Sequence, residues 1–182
     1  MNGTTIYTIG HSTRSADELL ALLAEADVKL VVDVRAFPSS RRHPQFNQGA
    51  LPAWLRDAAI DYVHMPRLGG RRVPALASRN GGWRERAFRG YADYMGSAEF
   101  QSALGQLETA ARKLASAIMC AEAVWWRCHR RLIADALVVR GWRVEHLGVA
   151  TTRVRHELPS FAVVEPGGAI TYPPPQTTLL DP

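Results

Sequence analysis

Residues Ala117 to Leu137 read Ala-Ile-Met-Cys-Ala-Glu-Ala-Val-Trp-Trp-Arg-Cys-His-Arg-Arg-Leu-Ile-Ala-Asp-Ala-Leu. The first four residues are an apolar run of strand length. From Trp125 the apolar positions change period: Trp125, Cys128, His129, Leu132, Ile133, Ala136 and Leu137 fall at i, i+3, i+4, i+7, i+8, i+11 and i+12, one face of a helix. A strand running into a helix is a βα unit, and a chain of such units builds a mostly parallel sheet. The turn between them holds Cys120, Glu122, Arg127, Cys128, His129, Arg130 and Arg131. In open α/β sheets this carboxyl edge, where helix N-terminal amides converge, is where ligands sit.

The same unit recurs on both sides. Thr5–Ile9 is a strand closed by Gly10, and Ser15 with Glu18 forms a capping box ahead of Leu19, Leu20, Leu22, Leu23 and Ala26. Leu30–Val34 is a nearly continuous apolar run, as expected of a strand covered on both faces. A polar loop from Arg35 to Asn47 precedes a short helix started by Pro52, then a strand at Tyr62–Met65. A long irregular stretch to Gly82 leads into helices over Trp83–Met95 and around Phe100–Leu114. Val144–Leu147 is the fifth strand, and Gly141 stops the helix before it. Phe161–Val164 and Ala169–Tyr172 read as an added hairpin or edge strand, and Pro173–Pro175 as an extended tail.

The expected fold is a three-layer α/β/α sandwich around a mostly parallel five-stranded sheet, in one domain over residues 1–182. Its core spans about 5–147, with a C-terminal extension over about 148–182. Of the two common strand orders, 3-2-1-4-5 is favoured over 2-1-3-4-5. It sets the first and fourth strands side by side, so that His11 faces the cysteines.

A chain of 182 residues with 47% apolar content is long enough for one good core. The net charge of +5 is carried by arginine, Lys29 and Lys113 being the only lysines. Arginine's planar fork suits phosphate and carboxylate, although a GC-rich genome would also write Arg for Lys. Two cysteines make no disulfide framework, no leader segment is evident, and no apolar run approaches a membrane span, so a cytoplasmic protein with free thiols is expected.

Several blocks resemble one family together. They are TIGHS (Thr8 to Ser12), VDVR (Val32 to Arg35), Pro-x-Ser-Arg-Arg-x-Pro-Gln-Phe-Asn (Pro38 to Asn47), LGG (Leu68 to Gly70), GYADYM (Gly90 to Met95), and CAEA followed by CHR-x-LIAD (Cys120 to Asp135). In order and content they resemble the domain of unknown function 488 family. The resemblance implies a cytoplasmic α/β fold and supplies no catalytic mechanism or cofactor, so the chemistry rests on the residues.

The candidate ligand-binding groups are Arg35, Arg41, Arg42, Asn47, Gly69, Gly70, Arg71, His129 and Arg130. Charge-assisted donors and amides of this kind recognise phosphate, and Phe46 offers a ring to stack a base. The plain alternative is a solvated basic loop. There is no Gly-x-x-x-x-Gly-Lys-Ser/Thr and no Gly-x-Gly-x-x-Gly, which argues against Walker-type hydrolysis and the usual dinucleotide fingerprint.

The candidate catalytic groups are Cys120, Glu122, Cys128 and His11. Cys120 to Arg127 superficially matches a phosphatase loop, but six residues intervene instead of five and none is glycine. Cys120 is expected to be partly accessible and held as thiolate, and Cys128 to be largely buried. Glu122 and Asp33 read as salt-bridged support for Arg130 and Arg35. No metal is assigned: Cys120, Cys128, His129 and His11 could supply four ligands, but no Cys-x2-Cys knuckle supports them. The expected activity is binding of a phosphorylated ligand, a nucleotide or nucleic acid, with or without processing it. The alternative is a nonenzymatic nucleic-acid-binding module, and a cysteine- or metal-dependent hydrolase ranks below both.

Overall fold

The computed structural model describes residues 5–149 and 153–175. The parts of the C-terminal extension at 150–152 and 176–182 lie outside them. Five helices and eight strands follow one another as β1 (Thr5–Gly10), α1 (Ala16–Glu25), β2 (Leu30–Asp33), α2 (Leu51–Asp57), β3 (Asp61–His64), α3 (Arg86–Met95), α4 (Ala98–Ala111), β4 (Ser116–Cys120), α5 (Arg130–Val139), β5 (Arg143–His146), β6 (Val154–Arg155), β7 (Val163–Val164) and β8 (Ile170–Thr171). The main sheet has the order β3-β2-β4-β1-β5-β6. Its first five strands are parallel, β6 runs antiparallel to β5, and β7 and β8 form a separate antiparallel hairpin.

Residues alternate across the sheet and split the core in two. Ile9, Val31, Ala117 and Met119 pack with Leu19 and Leu23 of α1 and Leu51 and Leu55 of α2. Ile6, Val32, Ile118 and Val144 pack with α3, α4 and α5 on the other face. The layers are therefore helix, sheet, helix, as the sequence led us to expect. Each fully buried aliphatic side chain contributes roughly 1.5–3 kcal/mol of burial. The capping box is present: the Ser15 hydroxyl accepts from the Glu18 amide at 3.1 Å, and the Ser15 amide donates to Glu18 Oε2 at 2.6 Å.

Several expectations need correction. Strands β1 and β4 are neighbours, but β4 lies between β1 and β2, so the order is not 3-2-1-4-5. The sheet also gains a sixth strand at Val154–Arg155. The periodic helix starts late: Trp125–Arg127 is a single 3-10 turn, Cys128 is extended (φ −126°, ψ 148°), and α5 begins only at Arg130. The helical spacing runs back through a turn none of whose three residues is buried, so the pattern overstates the helix. Likewise Trp83 precedes α3, which starts at Arg86.

Candidate functional site

The site grows out of the close approach of β1 and β4. Beyond the strands the ladder continues, with the His11 amide donating to the Cys120 carbonyl at 3.0 Å and the Ser12 amide to that of Ala121 at 2.9 Å. Gly10 permits this approach, because a Cβ there would stand 1.9 Å from the Glu122 carbonyl oxygen and 2.9 Å from an Arg130 nitrogen. Arg130 is 1% exposed and forms no ion pair with a carboxylate among the described residues. Its Nη2 donates to the Glu122 carbonyl at 2.5 Å, its Nε to Cys128 Sγ at 3.4 Å, and its Nη1 to Thr8 Oγ1 at 3.5 Å. The expected pairing of Arg130 with the Glu122 carboxylate is thus replaced by a bond to that residue's backbone, and the Glu122 side chain is exposed.

The cysteines are free, Cys128 buried and Cys120 half-buried. Their charge falls opposite to expectation. The hydrogen bond that Cys120 donates to Cys128 holds the Cys128 thiol well below the usual range, helped by the Arg130 charge against the cost of burial. The same bond, with burial, pushes the Cys120 thiol up. Of the pair, Cys128 is the thiol whose ionisation is favoured. His129 Nε2 lies 3.0 Å from the Val34 carbonyl, which can only accept, so Nε2 carries a proton. That leaves Nδ1 facing Cys128 Sγ at 3.6 Å.

Behind Arg130 runs a chain of buried polar groups that the sequence did not disclose. Thr8 Oγ1 lies 2.6 Å from His146 Nδ1, His146 Nε2 2.9 Å from His156 Nδ1, and His156 Nε2 2.7 Å from Asp135 Oδ1. The Tyr172 hydroxyl donates to Asp135 Oδ2 at 2.7 Å. Thr8 is fully buried and accepts from Arg130, so its O–H has His146 Nδ1 as its acceptor. His146 then donates from Nε2 to His156, and His156 from Nε2 to the carboxylate. Every donor points away from Arg130 and toward Asp135, which joins a buried cation to a buried anion. Burial, with the charge of Arg130, holds His146 down to about 2, and the Trp125 ring stacks on it at 4.0 Å.

Arg35 is locked into the scaffold. Its Nε and Nη2 grip both oxygens of Asp33 at 2.9 and 2.6 Å, Nη2 also reaches the Phe46 carbonyl at 2.7 Å, and Nη1 donates to His11 Nε2 at 3.1 Å. The Tyr62 hydroxyl adds a 2.9 Å bond to Asp33. This is the salt-bridged support expected of Asp33. His11 is 3% exposed, its Nδ1 donates to the Ser12 carbonyl at 3.0 Å, and burial lowers it to about 4. Both nitrogens are engaged and the ring stacks on Phe46 at 4.4 Å, so neither His11 nor Phe46 is free to meet a ligand. Asn47 accepts from the Ser40 amide and folds its own loop, while Arg41 and Arg42 are exposed.

On the α3 and α5 face a cavity of about 1150 Å³ opens above β4, above the usual range for small-molecule sites. Cys120, Glu122, Cys128 and His129 line its base, and Arg35, Arg71, Arg127 and Arg131 its walls. His11, Arg41 and Arg42 are absent from the lining. Gly69 packs against Ala36, and Gly70 lies on the His129 ring, where a Cβ would stand 3.0 Å from Nδ1. Trp83, Phe88, Tyr91 and Trp126 supply the aromatic surface. Arg131 lies over Trp83 at 4.7 Å, and the buried Trp83 indole N–H meets no acceptor among the described residues. Arg127, Arg131 and Trp126 were not among the candidate ligand-binding residues, although all three belong to the turn that the sequence marks.

None of the described helices is long and apolar enough to cross a membrane. Comparison with curated proteins and with solved structures gave no match. The family model described as "Domain of unknown function DUF488" matches residues 15–137, well over half of the chain, and the protein belongs to that family.

Proposed function

We propose that the cavity binds a phosphorylated ligand of nucleotide class. The observation that carries this reading is its lining: Arg71, Arg127 and Arg131 stand around an aromatic wall, with Glu85 and Glu122 as the acidic residues. Guanidinium forks suit the phosphate, and Trp83, Phe88 and Trp126 offer surface to a flat base. In that wall the buried Trp83 indole N–H has no partner among the described residues. Arg35 supports the wall from behind, since its donors serve Asp33. Free thiols at the base of the cavity suit a reducing cytoplasm.

Calorimetric titration with nucleoside mono- and diphosphates, the matching nucleosides and inorganic phosphate tests the reading. The nucleotides should bind and the nucleosides much more weakly. Arg71→Ala and Arg127→Ala should each cost about 10-fold or more, the usual worth of a hydrogen bond to a charged group. Equal affinity for nucleoside and nucleotide would overturn the proposal. The exposed Arg41 and Arg42, outside the cavity, favour a second reading as a nonenzymatic nucleic-acid-binding surface. That reading requires binding that falls steeply with salt and weakens alike for all sequences in Arg41→Ala/Arg42→Ala.

A further inference from the structure

We propose that Cys120, Cys128 and His129 form a mononuclear site for a thiolate-seeking divalent cation of the zinc class, with its fourth position open to the cavity. Their three donor atoms lie within 4.8 Å of one another. Zinc–sulfur and zinc–nitrogen bonds of ordinary length at a tetrahedral angle set the two ligand atoms about 3.6 Å apart. Cys128 Sγ and His129 Nδ1 already stand 3.6 Å apart. The cysteine at the end of β4 closes the triangle with a small side-chain adjustment.

The surroundings suit a ligand histidine. His129 donates its Nε2 proton to the Val34 carbonyl, the outer hydrogen bond that fixes the tautomer and ring direction of metal-bound imidazoles. Nδ1 is left as the coordinating atom. It stays uncovered because Gly70, which packs against it, has no side chain. Arg130 donates to Cys128 Sγ, as an outer-shell donor to a metal thiolate does.

Charge balance points the same way. Arg130 and Asp135 cancel through the histidine chain, so a cation bound in that buried region must be neutralised by its own ligands. A divalent cation held by two thiolates and a neutral imidazole leaves that region neutral. Two sulfurs and an imidazole select zinc-like ions over magnesium or calcium. His11, bound to Arg35 and Ser12, is not a fourth ligand. Three protein donors and a cavity-facing vacancy are the pattern of a catalytic rather than a structural zinc site. The site stands whether or not the cavity binds a nucleotide.

The test uses the full chain, stripped of metal under reducing conditions and titrated with Co²⁺ in phosphate-free buffer. One equivalent should bind, with an intense near-ultraviolet thiolate-to-cobalt band and visible bands of tetrahedral strength, and Zn²⁺ should displace it. Cys128→Ser and His129→Gln should weaken binding by at least about 100-fold, beyond the 10- to 100-fold typical of outer-shell changes. Iodoacetamide labelling of the unaltered protein needs no variant: Zn²⁺ should protect both cysteines. Absence of a stoichiometric cobalt band, or labelling equally fast with and without Zn²⁺, would overturn the site.

Discussion

Acid should destabilise this protein well before its carboxylates titrate, and two buried histidines set the size of the effect. His146 faces Thr8 of β1, His156 beyond β6, the Trp125 ring and Arg130 of α5, with Asp135 on the far side of His156. His11 faces Arg35, Asp33, His43 and Phe46. Both are lowered in the folded state, to about 2 and about 4, chiefly by burial. In the unfolded chain a histidine titrates near 6.5. Below that pH the unfolded state takes up protons that the folded state refuses. The contribution is therefore fully present above 6.5 and is lost as pH falls toward the folded values. Between pH 7 and pH 5 each histidine costs roughly 2 kcal/mol, so the pair removes about 4 kcal/mol of a stability that is typically 5–15.

Urea unfolding at the two pH values measures this directly. With a slope near 2 kcal/mol per M, the midpoint should fall by about 2 M. Nitrogen-detected NMR should show His146 as the neutral Nε2–H tautomer at both pH values. A midpoint shift below about 0.5 M, or a His146 ring titrating near 6.5, would refute the buried chain and its direction.

Gly10→Ala should destabilise the fold by about 3 kcal/mol or more, because the new methyl collides with the Glu122 backbone and no flexible side chain can yield. Thermal unfolding checks this, and a variant as stable as the parent would mean that β1 and β4 do not meet at that register. Asp33→Asn should cost roughly 3–5 kcal/mol by stranding the buried Arg35 charge. A loss under 1 kcal/mol by denaturant titration would show that Phe46 and His11 suffice to hold Arg35.

Where one local rule governs a feature, the sequence disclosed it. Ser15 and Glu18 are three residues apart and cap α1 without help from the rest of the fold. The apolar run at Leu30 marks a strand covered on both faces, and it is buried throughout. Strand order carries no such signal, since β1, β2 and β4 read alike and only the packing of their crossovers sorts them. Cys128 and His129 fit a helical stripe in the sequence, but Cys128 is extended and His129 only caps α5, which starts at Arg130. His146 and His156 are ten residues apart and meet only because β6, too short to recognise, returns antiparallel to β5. Phe46 looked like a ring on a polar loop; the loop folds back on Asn47 and buries it.

The position of β4 explains why the chemistry gathers at its end and not on the arginine loop after β2. Both neighbours of β4 send their chains to one face: β1 leads into α1 and β2 leads toward α2, which share a core. The chain leaving β4 goes the other way, into α5, whose core includes α3 and α4. Connections that part to opposite faces leave a crevice at the carboxyl end of the strand between them. On the α1 and α2 side that crevice is filled by His11 stacked on Phe46. On the α3 and α5 side it stays open above Cys120, Cys128 and His129. The 3-10 turn at Trp125–Arg127 postpones the start of α5 and brings Cys128 and His129 back over the strand end they would otherwise pass. A helix begun at Trp125 would carry those side chains along its own axis. The departure from helical periodicity is what assembles the site.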